Sequence, residues 1–140
     1  NNTLLPLRKE VFLRYCNGFK QHDWFIEPVA KDINRESSYH LFPLRIKDIT
    51  EAQRDCIIDE LVAKGITVNV HFIPMPMLTY FKSLGFDITD YPNSYKQYSC
   101  EISLPIYPQL ANDQVDYIID SLTDAVQAIR TFESAEKVLF

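Results

Sequence analysis

Glycine is scarce in this chain. Only Gly18, Gly65 and Gly85 occur among 140 residues. A loop that cradles phosphate on successive backbone N–H groups needs closely spaced glycines, so none is possible here. A Gly-x-Ser-x-Gly nucleophile elbow is also missing. Cysteine is nearly as rare: Cys16, Cys56 and Cys100 are far apart, odd in number and without a CxxC pair. That argues against a disulfide framework or a structural zinc site, and predicts three buried or half-buried thiols in a cytosolic protein. Basic runs are absent and the net charge is −5, which removes the electrostatic footprint of a nucleic-acid binder. No apolar run approaches the roughly 18 residues of a membrane span. The start, Asn1 to Pro6, lacks the basic and then apolar pattern of a signal peptide. It lacks an initiating Met as well, and the expectation is a trimmed chain or a fragment.

Apolar and aromatic residues are plentiful, at 46% and 13%. A chain of this length suits one compact domain that buries about two-thirds of its unfolded surface. Leu7 to Phe19 predicts a helix through Leu7, Val11 and Tyr15, with Pro6 at its first turn. Trp24 to Ile26 is a short apolar patch closed by Pro28, and Val29 to Ser38 reads as a loop. Tyr39 to Ile46 predicts a strand with His40, Phe42, Leu44 and Ile46 on one face. Pro43 has no N–H for a ladder, so this strand is expected at an edge or with a bulge. Thr50 and Gln53 form a capping box for a helix to about Lys64, with Cys56, Ile57, Leu61 and Val62 as its apolar stripe and Gly65 at its end. Thr67 to Phe72, rich in β-branched residues, predicts a second strand. Pro74 and Pro76 break the pattern. Short helices are expected at Leu78 to Leu84 and at Asn93 to Tyr98. Glu101 to Leu104 predicts a third strand, and Asn112 opens a helix to about Arg130 with Val115, Ile118, Ile119, Leu122 and Val126 inward. No pattern follows Thr131, which suggests a tail or a swapped arm. The expected class is α+β: a small three-stranded sheet with helices on one face.

Few residues suggest chemistry. Asp113, Asp116, Asp120 and Asp124 recur at helical spacing and read as a solvated face, not a metal site. His22 sits in a polar connection. His40 alternates with core positions and reads as core-facing. His71 ends the second predicted strand and enters the loop Phe72 to Met77, and loops after strand ends commonly carry sites. Val68 and Val70 share one face and are expected against the helices, leaving Asn69 and His71 on the other.

Three blocks in register, Ser38 to Ile46, Gly65 to Gly85 and Cys100 to Pro108, resemble the carboxy-terminal part of the DegT/DnrJ/StrS family of sugar aminotransferases. The likeness runs from about Leu4 to Ala128. It implies the small domain of a fold type I, pyridoxal-phosphate-dependent enzyme, usually a homodimer, which moves an amino group, generally from glutamate, to a keto group of a nucleotide-linked sugar. In such enzymes the Schiff-base lysine, the aspartate opposite the pyridine nitrogen and the ring-stacking residue lie in the large domain. None of the eight lysines here has the family's lysine context. The resemblance therefore implies a fragment that binds no cofactor by itself and is inactive alone, whose partners are the missing large domain, a nucleotide sugar and an amino-acid donor. No nucleic acid and no membrane enter that reading, and the setting is cytoplasmic. It divides the chain into an interdomain helix and connection at 1–22, an α/β core at 23–130 and a tail at 131–140. His71 matches the family histidine that lines the substrate side, so His71 and Asn69 are the candidate substrate-binding residues. The further histidine common five or six residues later is replaced by Pro76 and Met77. The other reading is a stand-alone ligand-binding or regulatory module, since a small α+β layer does not fix function.

Overall fold

The computed structural model describes residues 4–138, with side chains through residue 131. Helix α1 (Leu4–Phe19) leads into strand β1 (Phe25–Ile26), then β2 (Phe42–Ile46) and α2 (Glu51–Ala63). Short helices α3 (Thr79–Ser83) and α4 (Pro92–Ser99), each preceded by one 3-10 turn, lead into β3 (Glu101–Leu104), and α5 (Asn112–Val138) closes the fold. The class is α+β, as expected. The sheet is antiparallel in the order β1-β2-β3.

Two of the expected strands are present, and the third is a different segment. Residues 67–72 contribute one isolated bridge, Asn69 to Ser103, rather than a strand. The short patch at Phe25–Ile26 supplies the third strand by pairing with Ile46 and Arg45. Two residues hold a strand only through their partner, so no local pattern announces them.

Pro43 lies in the central strand, not at an edge. The Ile46 N–H donates to Cys100 at 3.0 Å and the Lys47 N–H to Trp24 at 2.7 Å. Even-numbered residues of β2 thus donate toward β3 and odd-numbered ones toward β1. Pro43 faces the β1 side beyond the end of that two-residue strand, where its missing N–H breaks no ladder bond.

The apolar face of the sheet is Phe42, Leu44 and Ile46 with Ile102 and Leu104, all buried. Helix α1 lays Phe12, Tyr15 and Phe19 onto it. The Phe12 ring meets Phe42 edge-on at 4.8 Å, and the Tyr15 hydroxyl donates to the Pro105 carbonyl at 2.9 Å. Helix α2 begins with the expected capping box: Thr50 Oγ1 accepts the Gln53 N–H, and the Gln53 side chain accepts the Thr50 N–H. Gly65 follows at φ 76°, the left-handed conformation a helix end favours. The buried stripe of α2 is Arg54, Ile57 and Leu61. Cys56 and Val62, expected on it, are exposed, because the stripe advances by three and four residues from Arg54 and they fall beside it. Cys16 and Cys100 are buried as read.

Along α5, Val115, Ile118, Ile119, Leu122 and Val126 face inward as expected. It meets α1 closely at Gly18, where a Cβ would stand 2.5 Å from the Ile119 side chain and oblige it to shift. The helix runs on to Val138, so the segment read as a tail is helical that far. Phe140 and the side chains of the expected swapped arm lie outside the described residues.

Tyr39 and His40 exchange their expected places. Tyr39 has φ 53°, which ends the strand alternation. It turns its ring into the core against Phe12 at 5.2 Å. His40 is exposed, with Nδ1 2.9 Å from Ser38 Oγ.

Candidate functional site

The second face of the sheet is polar and borders a cleft walled in part by α4. Alternation puts Pro43 and Arg45 of β2 on it, paired in register with Ser103 and Glu101 of β3. Asn69 joins on the other side of β3: its N–H donates to the Ser103 carbonyl at 3.2 Å, and its carbonyl accepts the Ser103 N–H at 2.7 Å. Both expected substrate-side residues, Asn69 and His71, therefore lie at this face. Val68 packs against the core as expected, while Val70 is half-buried and its N–H donates to Asn69 Oδ1 at 2.8 Å.

His71 is half-buried and held on two sides. Its backbone N–H donates to Glu101 Oε2 at 2.9 Å, and its Nδ1 is 2.7 Å from Ser103 Oγ. The Ser103 hydroxyl donates to Glu101 Oε1. The Phe72 ring stands edge-on to the imidazole at 4.6 Å. The peptide bond between His71 and Phe72 is cis. Glu101 and Ser103 were not singled out from the sequence. Their signal was available: a strand reading Glu-Ile-Ser-Leu alternates polar and apolar, and both polar residues fall on one face.

This face opens into a cavity of about 500 Å³ walled by Arg45, His71, Phe72, Gln97, Tyr98 and Glu101 among others. Helix α4 forms one wall, and the Arg45 guanidinium hydrogen-bonds the Gln97 side-chain oxygen. Beneath it Arg54 is 2% exposed. Arg54 donates to the carbonyls of Tyr98 and Glu101 at 3.2 and 3.3 Å, and its guanidinium lies 4.9 Å from the Tyr98 ring centre. A buried cation with these partners clamps α2, α4 and the start of β3 together. It was not legible in the sequence, where Arg54 reads as a surface residue of a helix.

The other candidates stay apart. The carboxylates of α5 are solvated, as expected. Asp116 takes a two-pronged contact from Arg14 at 2.8 and 2.6 Å, which holds its carboxyl below the usual range. Asp124 lies 3.9 Å from Lys64. Among the described residues no group of His, Cys, Asp and Glu could hold a metal ion. His22 stacks on Trp24 at 4.9 Å.

Pyridoxal phosphate needs a lysine amine, a carboxylate for its ring nitrogen and donors for its phosphate. The sheet-face cavity has no lysine in its lining. Lys64 lines a cavity between α2 and α5, where its ammonium is engaged by Asp124 and, at 3.5 Å, by the Ser121 carbonyl. These residues do not compose a site for that cofactor. Arginine, histidine, amide and phenol groups around an open cleft can bind and orient a polar ligand.

A family model for DegT/DnrJ/EryC1/StrS aminotransferases matches residues 2–123. SpsC, a spore coat polysaccharide biosynthesis protein of Bacillus subtilis, is 32% identical over 126 residues, which are 86% of this chain and 31% of that protein. A UDP-4-amino-4,6-dideoxy-N-acetyl-β-L-altrosamine transaminase of Helicobacter pylori is 29% identical over 94% of this chain and 33% of its own length. Among solved structures, the candidate sugar aminotransferase Spr1654 of Streptococcus pneumoniae, in its apo form, aligns with a TM-score of 0.90. It is 37% identical over 95% of this chain and 33% of that one. The chain spans about a third of the length of these relatives.

Proposed function

Since this chain belongs to the DegT/DnrJ/EryC1/StrS aminotransferase family, we propose that it is the small domain of a pyridoxal-phosphate-dependent enzyme that aminates a keto group of a nucleotide-linked sugar, with glutamate as amino donor. Its role there is to wall the substrate side of the active site. The observation that carries this is the polar face of the sheet, where a family member presents His71 and Arg45 around one cleft that no lysine lines, with Asn69 paired to Ser103 beside it. The cofactor, held by the large domain, serves as the electron sink for amino-group transfer. This chain's residues bind and orient. Arg45 offers a fixed fork of N–H donors suited to a phosphate or carboxylate, and His71 and Asn69 offer hydrogen bonds to a sugar. The large domain and a second subunit complete the site in a cytoplasmic homo-oligomer. By itself the chain binds no cofactor covalently and has no turnover. The module reading has no observation of its own in support.

A chimera tests the proposal. This chain would replace the matching third of Spr1654, behind that protein's own remaining two-thirds. The expected result is glutamate-dependent amination of a nucleotide-linked keto sugar, read by loss of the keto group. A chimera that folds and takes up pyridoxal phosphate, yet aminates none of a panel of such sugars, would overturn it.

A further inference from the structure

Glu101, Ser103 and His71 form a closed polar circuit at the wall of the cleft. Glu101 and Ser103 are 4% and 5% exposed, so water does not stand in for either of them, while His71 is half-buried at the cleft. One carboxylate oxygen accepts the His71 backbone N–H and the other accepts the Ser103 hydroxyl. A carboxylate offers lone pairs only, and a serine hydroxyl has a single hydrogen. With that hydrogen committed to Glu101, Ser103 Oγ meets Nδ1 of His71 at 2.7 Å with lone pairs alone. The proton of a neutral imidazole must then sit on Nδ1, since two lone pairs at that distance would repel.

We infer that Glu101 and Ser103 are positioning residues that lock His71 as its Nδ1–H tautomer, leaving Nε2 as a bare acceptor in a residue that lines the cleft. This rests on the reading of the cleft as a substrate site and narrows it. A bare nitrogen accepts and does not donate. The ligand group that His71 meets is therefore a donor, a sugar hydroxyl or an amine, rather than a phosphate or carbonyl oxygen. The lock is built into the strand: Glu101 and Ser103 are two apart on one face, and the backbone of the same Ser103 pairs with Asn69.

The test needs neither cofactor nor sugar, so it stands apart from the fate of the aminotransferase reading. Nitrogen-15 spectra of the ring would be recorded on this chain at about pH 8.5, two units above the ordinary imidazole value. Three histidines make assignment by single replacement direct. The expected spectrum has His71 with its proton on Nδ1 and an unprotonated Nε2. Glu101→Gln is the sharper variant. Its amide oxygen must serve the His71 N–H, so its NH₂ turns to Ser103. The serine hydrogen then swings to Nδ1 and the ring proton moves to Nε2. Ser103→Thr keeps the hydroxyl and should keep the original tautomer, while Ser103→Ala should leave a mixture of the two. A merely structural role would lower the melting temperature without moving the proton. His71 carrying its proton on Nε2 in the unaltered chain would overturn the inference, and if Glu101→Gln does not fold, that spectrum alone decides.

Discussion

The two faces of this sheet come from alternate residues of the same strands, and they answer to different demands. Phe42, Leu44, Ile46, Ile102 and Leu104 face the core and are at most 3% exposed. Their positions are fixed by volume and by exclusion of water. Pro43, Arg45, Glu101 and Ser103 alternate with them and face a cleft, where directed hydrogen bonds fix Glu101, Ser103 and the neighbouring His71. A change on the first face should therefore read out as stability. A change on the second should read out as binding and turnover at a small cost in stability.

Phe42→Ala tests that contrast hardest. Its ring is fully buried and touches Phe12, Tyr15 and Phe19. Removing a large aromatic from such a site costs about 3–5 kcal/mol, which thermal or urea unfolding would register. A loss under about 1 kcal/mol would mean that the core refills the space, and the contrast between faces would blur. His71→Ala should cost roughly 0.5–1.5 kcal/mol for one lost hydrogen bond, because Ser103 keeps Glu101 and the backbone contact survives. In the Spr1654 chimera the same change should lower turnover or raise the apparent substrate constant. Unaltered kinetics with a core-sized loss of stability would place His71 with the first face instead.

The smallest effect belongs to a surface cluster away from both faces. The side chains of Lys9, Tyr39 and Lys31 all meet Glu36, and these contacts, Lys9 foremost, hold its carboxyl down at about 2. A depressed folded value means that the contribution is complete above the ordinary value of 4.5. It is lost as pH falls from there toward 2. Glu36→Gln should therefore differ slightly from the unaltered chain in melting temperature near neutrality, with the gap closing below pH 4.5. The charged groups, Lys9, Lys31 and Glu36, are exposed, so added salt should shrink it too. A gap that persisted unchanged at low pH would show that the exchange acts through packing of Tyr39.

Local chemistry was the part of the fold that could be read in advance. The Thr50–Gln53 capping box, the ending at Gly65 and the inward stripe of α5 depend on residues within a few positions of one another, and they stand where the sequence puts them. What escaped depends on distant partners. Phe25–Ile26 is a strand only because β2 lies beside it. Residues 67–72 look like a strand and pair at Asn69 alone. The core position expected for His40 went to Tyr39, because one positive φ outranks a run of alternating residues. For the candidate site, His71 and Asn69 were visible by their place after a strand-like segment and by family resemblance. Glu101 and Ser103 could be read as one polar face of their strand, but that alternation does not say that His71 will meet them, and Arg54 was hidden because nothing nearby in sequence tells that α4 will cover it.

Strand β3 has one further consequence. A slip of one residue against β2 would carry Glu101 and Ser103 into the aromatic interior and push Ile102 and Leu104 into the cleft. The hydrophobic cost of that error falls on the core, though the damage would be done to the cleft. The interior thus proofreads the alignment of residues it never touches. Anyone transplanting this cleft into another protein would have to carry the apolar residues of β3 along with the polar ones, because they keep the register.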